Sequence, residues 1–124
     1  MKLSMQFDTT DAHLAAAFGN AGVMVVGTPA LIGFLETAAA ECIVSMLQPG
    51  DVSVGTSINV QHLAAAPAHA QIQALAELTE RDDRKVRFLV ELRWGEIVVM
   101  HGVHERRIVN LARFMSKLEK DRAR

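Results

Sequence analysis

The chain has a single cysteine, Cys42. An internal disulfide framework is therefore excluded, a reducing compartment is expected, and the cytoplasm is the default location. An excess of one charge sign is missing too: 13 Lys plus Arg stand against 14 Asp plus Glu, for a formal net charge of −1. No global electrostatic signature then points to nucleic acid or an anionic membrane as a partner. The start of the chain lacks a signal-peptide layout, since Met1–Gln6 is soon followed by Asp8 and Asp11. No apolar run is expected to reach membrane-spanning length, because Glu36 and Glu41 interrupt the best candidate. Repeats, low-complexity segments and interdomain linkers are absent. What remains is a 124-residue sequence, half of it hydrophobic, expected to form one domain over residues 1–124 around a real core.

The hydrophobic periodicity changes part-way along. A short strand is expected over Lys2–Phe7, then a small helix over Thr10–Phe18 stopped by Gly19-Asn20. A long helix runs from Pro29 to about Leu47, with Thr28 as its cap, Pro29 in its first turn and Pro49-Gly50 as its breaker. Alternation takes over in Val52–Ala66, with Val54, Ile58, Val60, His62 and Ala64 on one parity and Ser53, Ser57, Asn59 and Gln61 on the other. Ala70–Thr79 and Val86–Trp94 alternate in the same way across the charged turn Glu80–Lys85. Ile97–Val109 is the last strand, and Asn110 can cap a closing helix, Leu111 to about Lys120, that offers Leu111, Phe114, Met115 and Leu118 to the body.

The long helix has only one narrow polar stripe, so it belongs inside the fold. One buried helix followed by four long alternating strands implies an α+β architecture, an antiparallel sheet wrapped around a central α-helix. A free sheet edge in such an arrangement favours a homodimer.

On that helix Glu36 is out of place. Its neighbours at three, four and seven positions are Gly33, Ile32, Ala39, Ala40 and Ile43, whereas Glu41 has Thr37, Ser45 and Gln48. A carboxylate in such surroundings is expected to be desolvated, which costs several kcal/mol unless it is paired or protonated. If the sheet covers the helix, the inward parity of the Val52–Ala66 strand sets His62 facing it, beyond the smaller Thr56. The helix start adds the Thr28 hydroxyl, free backbone N–H groups and the positive end of the helix dipole. Hydroxyl, imidazole, carboxylate and oxyanion donors are the parts acyl transfer needs.

Two stretches carry a resemblance. Val26-Gly27-Thr28-Pro29-Ala30-Leu31 with Glu36, and Val54-Gly55-Thr56-Ser57-Ile58-Asn59-Val60-Gln61-His62-Leu63-Ala64-Ala65-Ala66-Pro67, closely resemble the hot-dog-fold thioesterases related to fluoroacetyl-CoA thioesterase. Gly102-Val103-His104-Glu105-Arg106 looks like that family's Gly-x-His-x-Arg strand. The resemblance implies a hot-dog fold, a dimer with sites at the subunit interface, and hydrolysis of short acyl-CoA thioesters. It places the catalytic Thr, Glu and His on Thr28, Glu36 and His62. It implies no metal and no bound cofactor, coenzyme A entering as part of the substrate. Gly55 is the candidate substrate-binding residue, its backbone N–H within reach of a thioester oxygen, unless it only bends the sheet. The fluoroacetyl-specific branch carries aromatic residues over the pocket ahead of the helix. Here Gly19–Val26 has none, which points to a broader or different short acyl group.

Each residue also has a plainer reading: Glu36 as a structural acid bonded to a backbone group or an arginine, His62 as a core or interface histidine, Thr28 as a cap. Cys42 reads as a small hydrophobe, His13 and His69 as surface residues, and His104 as a structural bond near the site. His101 and His104 fall on opposite parities of one strand, a poor arrangement for sharing a metal. Two other functions fit the same residues, a hot-dog enoyl-CoA hydratase or dehydratase and a catalytically silent acyl-CoA-binding dimer module.

Overall fold

The alternating stretches pair into one antiparallel sheet in the computed structural model, which describes all residues from Met1 to Arg124. The elements are β1 (Lys2–Asp8), α1 (Thr28–Cys42), β2 (Asp51–His62), β3 (Gln71–Asp82), β4 (Lys85–Trp94), β5 (Ile97–Asn110) and α2 (Leu111–Arg122). The strand order is β1-β3-β4-β5-β2, so β1 and β2 are the edges. α1 lies across the concave face, and the expected sheet wrapped round a helix is the one that forms.

Packing explains the wrap. Leu31, Leu35, Ala38 and Ala39 on α1, with Ile43 just beyond its end, are buried against Ile72, Ala74 and Ala76 of β3 and Phe88 and Leu92 of β4. The alanines on both sides let helix and sheet approach closely, while each buried leucine contributes about 1.5–3 kcal/mol. The inward parities expected for β3 and β4 are those observed.

The expected single helix over Thr10–Phe18 is instead two short 3-10 turns, Asp11–His13 and Ala15–Phe18, the second ending at Gly19 with φ of 96°. α1 stops at Cys42 rather than Leu47, because Ile43 leaves helical geometry (φ −109°, ψ 6°) and Val44–Met46 tightens to a 3-10 turn. With that turn, Thr28–Met46 is 19 residues long and apolar enough, by length and composition, to cross a membrane, although 44% of its most apolar 18-residue window is buried inside this fold. The expectation that no stretch reaches that length is thus corrected.

β2 ends at His62 rather than Ala66. There the Leu63 and Ala64 amides both donate to the Val99 carbonyl (2.8 and 3.3 Å) and turn the chain off the sheet edge. The departing segment then reaches the lead-in to α1, where the Val26 amide donates to the Ala66 carbonyl (2.9 Å) and Val25 bridges Pro67. That crossing ties the start of α1 to the end of β2.

β2 also changes parity midway. The β2–β5 register shifts between Gly55 and Ser57, leaving Thr56 as the extra residue. Ser53 and Gly55 pair with the buried Ile108 and Arg106, and beyond the bulge Ile58 pairs with the buried His104. Ser53 and Gly55 therefore face inward and Val54 outward, the reverse of the simple alternation, while Ile58, Val60 and His62 keep the inward parity expected of them.

α2 is capped as expected, Asn110 Oδ1 accepting from the Arg113 amide at 3.0 Å. Its apolar stripe does not meet the body: Leu111, Phe114, Met115 and Leu118 are 43–47% exposed. The helix projects beyond the end of β5, where no element of the chain lies over that face.

Candidate active site

α1 begins one residue earlier than its sequence suggests. Gly27, not Thr28, is the cap (φ −74°, ψ 149°), and Thr28 is the first helical residue with no capping bond from its side chain. A glycine is needed there, since a Cβ would sit 3.0 Å from the Ala15 Cα and 3.1 Å from the Phe18 ring. Freed from capping, the Thr28 hydroxyl lies 2.8 Å from Nδ1 of His62, the last residue of β2. Both side chains are exposed. Around them the first turn of α1 offers the Thr28 and Ala30 amides, neither of which has a helical acceptor; Pro29 has no N–H, and the Leu31 amide is used by the Gly27 carbonyl (3.1 Å).

Glu36 lies two helical turns further, about 12 Å along the axis. It makes no direct hydrogen bond to Thr28 or His62. Its partner is Arg106 of β5, with Oε2 of Glu36 3.6 Å from Nη1. The burials are unequal: the arginine side chain is 8% exposed and the glutamate 46%. The expected desolvation of Glu36 is thus corrected, because the open β2 edge leaves that side of α1 accessible, and the buried charge of the pair belongs to Arg106. Glu41 is exposed, as its polar neighbours indicate.

Gly55 sits against this carboxylate. A Cβ on it would fall 2.5 Å from Glu36 Oε2, 3.3 Å from His104 Cε1 and 3.5 Å from Arg106 Nη1. The glycine leaves the room that the Glu36 head group occupies, a firmer reason for its presence than a sheet bend. Beneath it His104 is 1% exposed. Its Nδ1 donates to the Ser57 carbonyl (2.8 Å) and its Nε2 accepts from Arg106 Nη1 (3.2 Å), a pattern that requires the neutral ring. Burial, foremost, lowers the His104 pKa; the bond to Ser57 opposes this and the Arg106 charge adds to it. Burial likewise pulls the Arg106 guanidinium below its ordinary value, against the favourable Glu36 charge.

Thr28 and His62 thus meet directly, Glu36 and Gly55 meet directly, and the two pairs mark the ends of one accessible strip between α1 and β2. Arg106, the arginine of the Gly-x-His-x-Arg stretch, carried no assigned role in the sequence; alternation in β5 sets it on the same parity as His104 and Ile108, and here it is the arginine that pairs with Glu36. Cys42 is buried, as expected for a small hydrophobe, with its thiol pKa raised chiefly by burial. His69 is exposed and paired with Asp11 at 2.7 Å. His13 is not a simple surface residue: it meets the Phe34 ring edge-on at 5.1 Å and accepts from the Thr10 amide.

This geometry has relatives. The family model described as FlK, fluoroacetyl-CoA-specific thioesterase, matches residues 9–112. The chain belongs to that family. The fluoroacetyl-CoA thioesterase of Streptantibioticus cattleyicolor is 32% identical over 94 residues, 76% of this chain and 68% of that protein. Among solved structures, the fluoroacetyl-CoA thioesterase FlK superposes with a TM-score of 0.89 at 25% identity, covering 97% of this chain and 93% of that one. A Thermus thermophilus thioesterase-superfamily member shares the fold at a TM-score of 0.91 and 18% identity, covering 99% and 91%. The protein is a thioesterase of hot-dog fold.

Proposed function

We propose that the protein hydrolyses short-chain acyl-CoA thioesters, with Thr28, Glu36 and His62 as its catalytic residues and Gly55 lining the acyl site. The observation that carries this reading is the 2.8 Å contact between the Thr28 hydroxyl and His62 Nδ1 at the start of α1. It joins a proton-transfer group to the positive end of a helix, where a developing oxyanion is stabilised.

The thioester carbonyl oxygen takes the free amides of the first turn. Water adds to the carbonyl carbon and its proton passes to His62 through the Thr28 hydroxyl. The tetrahedral intermediate then collapses, the C–S bond breaks, and His62 returns the proton to the departing thiolate. Glu36 supplies the carboxylate, which either orients and charges the Thr28–His62 pair or adds to the carbonyl itself, and the Glu36→Gln substitution removes both roles. Coenzyme A is part of the substrate and no cofactor enters.

The absence of aromatic side chains over Gly19–Val26 supports a less selective acyl pocket than the name of the family describes. The exposed Phe18, Val23, Met24 and Leu63 and the free edge of β2 support a homodimer that covers them, and the balanced charge and single buried cysteine suit the cytoplasm. Incubation with a panel of short acyl- and enoyl-CoAs tests the reading. Free thiol release across acetyl-, propionyl- and fluoroacetyl-CoA supports it. Loss of the enoyl absorbance without thiol identifies a hydratase, and binding without turnover identifies a silent acyl-CoA-binding module.

A further inference from the structure

The guanidinium of Arg106 is held on every side, and two of the residues that hold it, Ser53 and His104, are not among those that perform the chemistry. Ser53 grips it twice: Nε donates to the Ser53 hydroxyl at 2.9 Å and Nη2 to the Ser53 carbonyl at 2.9 Å. Nη1 donates to Nε2 of His104 at 3.2 Å and faces Glu36 Oε2 at 3.6 Å. The His104 acceptor is set in turn by its other nitrogen, since Nδ1 donates to the Ser57 carbonyl and so leaves Nε2 bare.

We propose that Ser53 and His104 are positioning residues: together they fix the plane of the Arg106 fork so that one edge alone addresses Glu36, holding that carboxylate in the clearance left by Gly55. The proposal rests on the thioesterase reading of Glu36. It rests equally on burial, because a guanidinium stripped of water is stable only when its donors meet acceptors. A planar fork with its Nε and Nη2 edge clamped cannot turn, whereas a lysine would offer a point charge without a planar edge and a loosely held arginine an edge of no fixed direction. The Gly55–Ser57 bulge serves both functions at once. It turns Ser53 inward to the arginine and brings the Ser57 carbonyl to His104, on either side of the glycine that makes room for Glu36. Arg106 acts through Glu36, and Ser53 and His104 act through Arg106.

Ser53 lies on an edge strand and is half-buried, so its hydroxyl can be removed without opening the core. The test compares Ser53→Ala with Ser53→Thr, which keeps the hydroxyl, using acetyl-CoA hydrolysis and the NMR signal of the Arg106 Nε–H. Ser53→Ala is expected to lower kcat by about tenfold, as misplacing a group near the chemistry does, with KM nearly unchanged. Ser53→Thr should restore kcat. The Arg106 Nε–H should exchange slowly with solvent in the unaltered protein and in Ser53→Thr, and faster in Ser53→Ala. A second pair, His104→Gln and His104→Phe, separates an acceptor from mere filling, and the glutamine variant should retain more kcat. Wild-type kcat in Ser53→Ala would overturn the proposal, as would unchanged Nε–H exchange in that variant, a rise in KM alone, or no rescue by threonine. If the unaltered protein releases no thiol from any acyl-CoA, the functional reading fails instead, while the exchange measurement still reports on the clamp.

Discussion

The Thr28 hydroxyl and His62 Nδ1 stand 2.8 Å apart although 34 residues separate them in sequence. Two backbone links make the meeting obligatory: the bond from the Val26 amide to the Ala66 carbonyl and the bridge between Val25 and Pro67. They staple the approach to α1 onto the chain leaving β2. Neither side chain is needed for that staple, since both are exposed and Gly27 provides the cap. Function and stability should therefore separate cleanly at these positions. Thr28→Ala and His62→Ala are each expected to reduce kcat for acyl-CoA hydrolysis by about 10²–10⁴-fold, the range for losing a positioned proton-transfer group. The urea midpoint should move by no more than about 0.5 kcal/mol in equivalent stability. Thr28→Ser keeps the hydroxyl and should retain most of the rate. Parallel thiol-release kinetics and urea melts check all three.

Glu36 makes a different prediction because its partner is so much more buried than it is. In Glu36→Gln the shape is kept and the charge is lost, leaving Arg106 without its counter-ion. Ser53 and His104 still satisfy the guanidinium, and the 46% exposure of the glutamate side chain means solvent already screens much of the pair. The stability cost is therefore expected to stay within about 1 kcal/mol, while turnover falls by about two orders of magnitude or more. Wild-type turnover in this variant would remove the carboxylate from the mechanism.

Gly55 tests the same carboxylate by crowding rather than by charge. A Cβ at 2.5 Å from Glu36 Oε2 is an impossible contact, so in Gly55→Ala something must shift. The nearest atom belongs to the end of a flexible, half-exposed side chain, so the carboxylate yields and the sheet does not. Activity should drop by about tenfold or more and the melting temperature should change little. Glu36→Gln and Gly55→Ala should then be far from additive, because both disable one group.

How much of this the sequence made legible depended on whether period alone carried the information. The inward faces of β3 and β4 were readable because Ile72, Ala74 and Ala76, then Val86, Phe88, Val90 and Leu92, alternate without a break. β2 was not fully readable. Gly55-Thr56-Ser57 is neutral with respect to face, so the bulge within it leaves no mark on the pattern, and Ser53 and Val54 come out exchanged. The acid on α1 was visible as an anomaly, yet its charge partner comes from β5, which only the register of β2 against β5 brings beneath it. The stripe on α2 shows the opposite limit. Leu111, Phe114, Met115 and Leu118 have the right spacing for packing, but spacing does not say whether a surface is there to receive them.

His104 gives the fold a pH dependence whose sign follows from its bonds. In the folded chain the ring is buried, its Nε2 accepts from Arg106, and its pKa lies below the ordinary 6.5, chiefly through burial. Arg106 pushes it further down, while the Ser57 carbonyl, Glu36 and Glu105 pull the other way without reversing the direction. Unfolding releases the ring to an ordinary pKa, so below about 6.5 the unfolded chain binds a proton that the folded chain resists. Stability is therefore unaffected by this group at higher pH and is lost progressively as pH falls from about 6.5 toward the depressed folded value. Protonation also destroys the Nε2 acceptor and sets an imidazolium against a guanidinium. Urea midpoints measured between pH 8 and pH 5 should fall more steeply for the unaltered protein than for His104→Gln, which cannot take up the proton. Equal slopes would show that the other histidines and the carboxylates account for the whole dependence.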